Sequence, residues 1–422
     1  MKYTKYKEKN FNLHVVETKK FKTVAVKVKF KRKITKEEMT IRNLLGDVLI
    51  ESTRNYSTSR QMEIETEELY ELVYRSNTTS SGNYNILSFE FGFLHPKYTE
   101  DNMLDRSLSF LKEIILNPNV KNKEFDESSF NIVYKNMENQ ILSLKENADS
   151  YSATRLFDEL EPDGLISYRS CGYMEDLKKI NRKNLYEYYL DVIKNDGIDI
   201  FIIGDIKPKE IRKYFSENFK FSNRTMSNDS HYYETQFKRK QVHLCTEKSE
   251  FEQSKLYMGF KAEDLTDFEL KYVSYVLNHI LGGTPDSKLF KNVREANSLC
   301  YSVSSYLRQL LSLLVVRAGI DADKYDLACA LILSQVEDIR NGKFADEEID
   351  SAKLNYKNAL IEMEDSIEGA LAVYYGIEYY NHESKDQKME KIDTVTRNDI
   401  MRVANKIKLD TIFFLEGGGI DA

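Results

Sequence analysis

The sequence predicts an α+β protein built from two homologous domains, and three observations support this prediction. At 422 residues the chain is longer than one hydrophobic core usually supports, so two domains of about 200 residues each are expected. Strand and helix patterns follow one another in the same order in the two halves. Two short segments of the first half also have counterparts in the second, and an internal duplication is the simplest explanation of both repeats.

The sequence of the first half predicts strands mixed with amphipathic helices. Apolar runs predict strands at 24–30, 84–93 and 198–204. Apolar residues at helical spacing predict helices around 38–53, 58–74, 101–116, 122–147 and 181–194. Thr58 followed by Gln61 has the spacing of a capping box for the second of these helices. The polar stretch 222–236 is the expected linker between a first domain, residues 1–221, and a second domain, residues 237–422.

The second half repeats this order of elements. Strands are predicted at 255–260, 300–307, 311–319 and 411–417. Helices are predicted around 267–281, 286–293, 322–341, 345–373 and 395–407. The segments INRKNL (180–185) and VTRNDI (395–400) agree position by position, and each opens a helix that leads to a final apolar strand. LLGDVLIEST (44–53) has its counterpart in YVLNHILGGT (275–284).

The composition excludes several classes of protein. Lys and Arg total 61 against 68 Asp and Glu, and the two signs are interspersed, which argues against a nucleic-acid partner. No stretch approaches the roughly 20 apolar residues of a membrane span, and the N-terminal segment lacks a signal-peptide pattern, so we expect a cytoplasmic protein with no membrane partner. The four cysteines form no CxxC pair and are expected to be reduced.

The most informative segment is LGGTPDSKLFKNVREANSLCYSVSSY (281–306). Together with the duplication and the helix after the first strand, it resembles the pitrilysin/insulinase family of zinc peptidases. The resemblance extends over essentially the whole chain and is closest to the short two-domain members that act as dimers, such as processing-peptidase subunits. It implies that each domain is a mainly antiparallel sheet packed with helices.

Family members that cleave peptides carry HxxEH on the helix after the first strand. The two histidines bind zinc and the glutamate activates the zinc-bound water. The corresponding positions here are Asn43, Gly46 and Asp47. An amide and one carboxylate are a poor donor set for zinc, and a glycine cannot accept a proton from water. We therefore expect no metal in this chain.

The remaining candidates for a metal site are weak. The family's third ligand, a glutamate, would fall near 136–144, where Asn139 or Gln140 occupies its position and Glu138 is adjacent. None of the six histidines has a second histidine four residues away. NHESKD (381–386) begins like an HExxH motif but has Asp386 where the second histidine belongs. His279 is expected to be a partly buried structural histidine.

Arg294 and Tyr301 are the candidate catalytic residues. They occupy the spacing at which the family places an arginine and a tyrosine that face the zinc. Through the resemblance, they would donate hydrogen bonds to substrate carbonyls and to the oxyanion of the tetrahedral intermediate. From the residues alone, Arg294 could instead form a surface ion pair and Tyr301 could pack in the core.

The loss of the zinc positions together with retention of this pair predicts a non-catalytic subunit of a heterodimeric zinc metallopeptidase. The resemblance implies a homologous partner that contains HxxEH and zinc, and an unfolded peptide substrate such as a precursor or leader peptide. One alternative is a peptide-binding or scaffold protein of the same fold that has no role in proteolysis. Another is a zinc peptidase with unorthodox ligands.

Overall fold

The computed structural model describes residues 1–224, 230–235, 237–297 and 299–418. The chain divides into two compact units, each with its own hydrophobic core. Residues 1–142 and 169–230 form the first unit, and residues 143–168 and 231–422 form the second. The units confirm the α+β prediction, because each is a mostly antiparallel sheet packed with helices.

The sheet of the first unit has six strands among the described residues, in the order β1-β2-β8-β3-β5-β4. Neighbouring strands are antiparallel except for the parallel pair β2 and β8. Two further short strands form a separate hairpin. The strands are β1 (Lys2–Lys7), β2 (Asn12–Glu17), β3 (Thr23–Lys33), β4 (Val73–Ser81), β5 (Tyr84–Leu94), β6 (Val120–Lys121), β7 (Glu124–Phe125) and β8 (Gly197–Gly204).

Helices cover one face of this sheet. Alternate β3 residues such as Val26 and Val28 point into the core, where they pack with Leu45 and Val48 of the first helix, because successive side chains of a strand point to opposite faces. The helices up to residue 218 are α1 (Lys36–Glu51), α2 (Ser59–Glu68), α3 (Met103–Leu116), α4 (Glu127–Ser143), α5 (Ala148–Leu160), α6 (Met174–Leu177), α7 (Arg182–Asn195) and α8 (Pro208–Asn218). All of them belong to the first unit except α5, which packs in the second.

The second unit contains a five-stranded sheet in its described part, ordered β11-β12-β10-β13-β9. Only β13 and β9 are parallel among the described pairs. Its strands are β9 (His243–Ser249), β10 (Ser254–Ala262), β11 (Cys300–Arg308), β12 (Leu313–Ile320) and β13 (Ile407–Gly417).

The helices of the second unit include π-helical turns. The short helix α9 (Ser274–Asn278) lies between two such turns, Glu269–Val273 and His279–Gly283, and a third spans Phe290–Glu295. Besides α5, the other helices of this unit are α10 (Tyr325–Arg340), α11 (Asp346–Glu362), α12 (Ile367–Tyr380), α13 (Lys385–Asp393) and α14 (Arg397–Lys406). Across the described ranges, the helices are too short or too polar to cross a bilayer.

The two sheets share one strand order, as an internal duplication requires. The run β2-β8-β3-β5-β4 corresponds to β9-β13-β10-β12-β11, and the parallel pair lies at the same place in each run. The segments INRKNL and VTRNDI both open a helix with a capping box, through Asn181 and Asn184 in α7 and through Thr396 and Asp399 in α14. Equivalent side chains therefore begin equivalent helices.

Two predicted helices were too long. The helix expected at 58–74 ends at Glu68, since Tyr70 and Glu71 have positive φ values of 59° and 58°, and the chain then enters β4. The helix expected at 345–373 breaks at Ser366, whose side chain caps the start of α12. At 58–61 half of the expected capping box is present. The Thr58 hydroxyl oxygen accepts a hydrogen bond from the backbone N–H of Gln61, but the Gln61 side chain accepts from the backbone N–H of Ser57 and not from that of Thr58.

The first unit is not a continuous stretch of chain, in contrast to the expected domain at 1–221. Residues 143–168 pack with the second unit because Leu156 and Leu160 of α5 are buried in a core with Phe413 of β13. Part of the expected linker, residues 225–229 and 236, lies outside the described residues. The described ends of this linker make contacts with the rest of the protein. Arg224 donates a hydrogen bond to the Ile193 carbonyl at 2.7 Å, and the buried His231 ring stacks on Tyr379.

Candidate functional site

The three positions that the sequence resemblance aligns with HxxEH, Asn43, Gly46 and Asp47, lie on α1. Helix α1 buries Leu44, Leu45, Val48 and Leu49 against the sheet, as the apolar spacing predicted. Gly46 and Asp47 lie on the side of the helix that faces β4 and β5, while Asn43 is half-buried. The site is therefore a contact between a helix and the edge of a sheet.

Gly46 is packed against that edge. A Cβ atom at position 46 would lie 2.8 Å from Cδ1 of Leu87 and 3.3 Å from Oγ of Ser76. Leu87 is completely buried, so its side chain has no solvent-filled space to move into. The place of the glutamate in HxxEH is thus filled by side chains of β4 and β5.

Asp47 is held by the same edge strand. The Ser76 hydroxyl donates a 2.5 Å hydrogen bond to Oδ1 of Asp47. Burial raises the pKa of the Asp47 carboxyl above its usual value, and the Ser76 hydrogen bond offsets only part of that effect. This carboxylate is used in a contact within the protein.

The donor set at these positions does not fit a zinc ion. Zinc sites in proteins are made from imidazole, thiolate and carboxylate groups, and Asp47 supplies one carboxylate that already accepts a hydrogen bond. Near the expected third ligand, Glu138 pairs with Lys135 at 2.5 Å, and Asn139 and Gln140 are exposed on α4. Over the described ranges, no group of three or more His, Cys, Asp or Glu side chains is arranged to hold a metal.

The other histidine candidates have structural surroundings. His382 is held against Gly376, and its Nδ1 atom lies 3.2 Å from Nζ of Lys388. Burial lowers the pKa of His382 to about 4, with neighbouring lysines adding to the effect. Burial also lowers the pKa of His279, as expected for a partly buried histidine. Of the HE pair at 382–383, His382 thus lies between α12 and α13, and Glu383 accepts a hydrogen bond from the Tyr272 hydroxyl at 2.9 Å.

Arg294 and Tyr301 lie on the second unit, next to the edge strand β11. Arg294 is in the π-helical turn Phe290–Glu295, with its guanidinium carbon 4.6 Å from the Phe290 ring centroid. Tyr301 is the second residue of β11 and is 66% exposed, which excludes the alternative in which it packs in the core. Burial raises the pKa of the neighbouring Cys300 to about 11, while the positive charge of Arg294 partly offsets the rise. Arg294 is therefore close to the start of β11.

Sequence reasoning missed the charged cluster under α1. Arg42 is fully buried, and its Nη2 atom donates to Oδ2 of Asp196 at 2.5 Å and to the Phe30 carbonyl at 2.7 Å. Arg32 donates to Oδ1 of the same carboxylate at 2.5 Å. This cluster ties α1 to β3 and to the end of α7. The available signal was that Arg42 shares a helix face with Leu45 and Leu49, which places a charge on an apolar stripe.

Comparisons with known proteins agree with this description. A family model described as "Peptidase M16 inactive domain" matches residues 179–356. "Probable inactive metalloprotease YmfF" of Bacillus subtilis (strain 168) is 27% identical over 98% of this chain and 97% of its own length. "Non-peptidase homolog YmxG" of Helicobacter pylori is 26% identical over 49% of this chain and 46% of its own. A crystal structure of a conserved protein from Enterococcus faecalis V583 covers all of both chains, with a TM-score of 0.92 and 27% identity.

Proposed function

We propose that this chain, which is similar to M16 peptidase-like proteins that are named inactive, is the non-catalytic subunit of a heterodimeric zinc metallopeptidase. One contrast carries the proposal. The position of the catalytic glutamate is closed by β4 and β5 at Gly46, whereas Tyr301 remains exposed and Arg294 lies near the preceding residue, Cys300. A chain with this combination can contribute to hydrolysis only in a site that another polypeptide completes.

The partner in this proposal is a homologous subunit that carries HxxEH and binds the zinc. Its metal would supply the polarised water that attacks the peptide bond. From this chain, the Arg294 guanidinium and the Tyr301 hydroxyl would donate hydrogen bonds to the substrate carbonyl and to the negative charge that develops on it. Donors of this kind lower the barrier because they are already oriented before the charge forms.

Substrate binding in this proposal uses the free edges of the sheets. Strand β4 pairs only with β5, and β11 only with β12, in the described structure, so each edge can accept another strand. An extended peptide that adds to an edge gains affinity from main-chain hydrogen bonds, which any sequence can form. We therefore propose unfolded peptides, such as precursor or leader segments, as substrates, and we retain the cytoplasm as the expected location.

The test mixes the purified chain with the HxxEH-bearing homologue from the same organism and measures cleavage of an unstructured fluorogenic peptide. Arg294→Ala and Tyr301→Phe are expected to lower kcat by about 10²-fold, the effect of losing a transition-state donor, without weakening association of the subunits. Matched controls are Arg60→Ala and Tyr98→Phe, which remove the same groups from exposed positions of the first unit.

Two results would reject this function. If the complex with both substitutions cleaves as fast as the wild-type complex, Arg294 and Tyr301 do not take part in hydrolysis. If no homologue with HxxEH associates with the chain, the scaffold alternative is favoured. The "non-peptidase" name of the Helicobacter pylori relative gives that alternative its support.

A further inference from the structure

The two units fasten their edge strands to equivalent helices by the same device. We propose that this device, here called the clasp, positions β4 for the addition of a peptide strand and β11 for the presentation of Tyr301. Each clasp consists of a serine on the edge strand, an oxygen acceptor on the helix and a glycine on that helix. The peptide part of this inference rests on the proposed function, whereas the clasp itself does not.

The first clasp joins β4 to α1. The Ser76 hydroxyl donates to Oδ1 of Asp47 at 2.5 Å. Gly46 allows the approach, because a Cβ there would lie 3.3 Å from both Cβ and Oγ of Ser76. A side chain at position 46 would push the strand away from the helix, and the hydrogen bond would lengthen.

The second clasp joins β11 to the helical segment around α9. The Ser305 hydroxyl donates to Oδ1 of Asn278 at 2.8 Å. A Cβ atom on Gly282 would lie 2.7 Å from Oγ and 2.8 Å from the backbone nitrogen of Ser305. The strand can therefore approach the helix only because residue 282 is a glycine.

The two clasps are equivalent through the duplication. When 44–53 is aligned with 275–284, Asp47 and Asn278 fall at the same position. Strands β4 and β11 occupy the same place in the strand order of their sheets. The acceptor differs between the repeats, and the two glycines are not equivalent, because Gly46 aligns with Leu277 and Gly282 with Glu51. The hydrogen bond from the edge strand to the helix is common to both repeats, and in each a nearby glycine makes room for the strand. The position at which active relatives would carry a second zinc ligand thus serves here to hold a strand.

A clasp matters most on an edge strand, which has a hydrogen-bonded neighbour on one side only. The bond from Ser76 or Ser305 fixes the face of the strand to the helix below, so the free N–H and C=O groups of the edge keep a constant orientation. A preformed edge loses less conformational entropy when it binds a peptide. In β11 the clasp lies four residues after Tyr301, so it also limits the movement of that side chain.

Amide hydrogen exchange of the full chain tests the clasps directly. Ser76→Ala is expected to speed exchange within 73–81 by about tenfold and to leave 300–308 unchanged, and Ser305→Ala should give the reverse pattern. Asp47→Asn keeps an oxygen acceptor, the one found in the second clasp, and should retain wild-type exchange in β4. Thr79→Ala, at an exposed position of the same strand, is the matched control.

Binding of an unstructured fluorescein-labelled peptide of roughly ten residues, a long strand, then tests the positioning role. Ser76→Ala should weaken its affinity about tenfold, while Asp47→Asn and Thr79→Ala retain it. Wild-type exchange rates in the Ser76→Ala and Ser305→Ala variants would overturn the clasps. Faster exchange with unchanged peptide affinity would overturn the positioning role. If the wild-type chain binds no peptide, the peptide part of the proposed function fails, and the exchange data still decide whether the clasps exist.

Discussion

A single methyl group at position 46 tests whether the place of the missing glutamate is closed. In an open mid-helix site, Gly→Ala stabilises by about 1 kcal/mol because alanine has the higher helix propensity. Here the new Cβ would lie 2.8 Å from Cδ1 of buried Leu87, well inside the roughly 3.5–4.0 Å separation of carbon atoms in contact. Overpacking of this kind costs about 1–3 kcal/mol. Since Leu87 has no open space to enter, the cost exceeds the gain in helix propensity, and we expect Gly46→Ala to destabilise the first unit by up to about 2 kcal/mol.

The assay is thermal unfolding, with hydrogen exchange in α1 and β4 used to assign the transition of the first unit. For a unit of about 200 residues the expected loss lowers Tm by up to roughly 8 °C. Gly92→Ala is the matched control, because a Cβ atom at position 92 would meet nothing within 4 Å, and its Tm should not fall. A rise in Tm of Gly46→Ala would show that the site is open and would refute the reasoning.

Three further predictions concern metal binding and pH dependence. The triple variant Asn43→His, Gly46→Glu, Asp47→His is expected to bind less than stoichiometric zinc by elemental analysis, because its glutamate meets the edge strand; a full equivalent of zinc would contradict this. Burial raises the pKa of Asp47 in the folded state, so the free energy of unfolding falls as pH rises from about 3.8 through the raised value. In denaturant titrations at pH 7, Asp47→Asn should therefore be more stable than the wild type. Ser76→Ala should be less stable than the wild type. Burial alone would raise the pKa of Glu269, but hydrogen bonds from a lysine and an arginine of α14 lower it to about 2. The contribution of Glu269 to stability is present above about pH 4.5 and is lost as pH falls towards 2. The free energy of unfolding of Glu269→Gln should therefore depend less steeply on pH between these values than that of the wild type. An unchanged pH profile would argue against the ion pairs.

The regular elements of the fold were predictable because their side chains carry periodic patterns. The apolar stripe of α1 and the continuous apolar run of β8 were both read from the sequence and are buried as expected. Strand β4 was missed because its Ser, Thr and Asn residues show no apolar alternation. As an edge strand it buries few side chains, so its conformation depends on pairing with β5.

Non-local packing explains the other differences. Helix α5 carries the apolar pattern of an ordinary helix, and its sequence does not show that Leu156 and Leu160 pack in the core of the second unit. Arg42 gave a weak signal, because an arginine on an apolar stripe requires a buried acidic partner. That partner, Asp196, is far away in the sequence and could not be identified from spacing.

The sequence by itself determined the duplication, the α+β class and the absence of a zinc donor set at Asn43, Gly46 and Asp47, because all three depend on residue identity and local spacing. Only the tertiary structure decided what occupies the place of the missing glutamate. Ser76 and Leu87 come from strands about 30 and 40 residues further along the chain, and their contact with α1 is created by the pairing of β4 with β5. Contacts between distant segments depend on how the elements pack, so they cannot be predicted from a local pattern of residues.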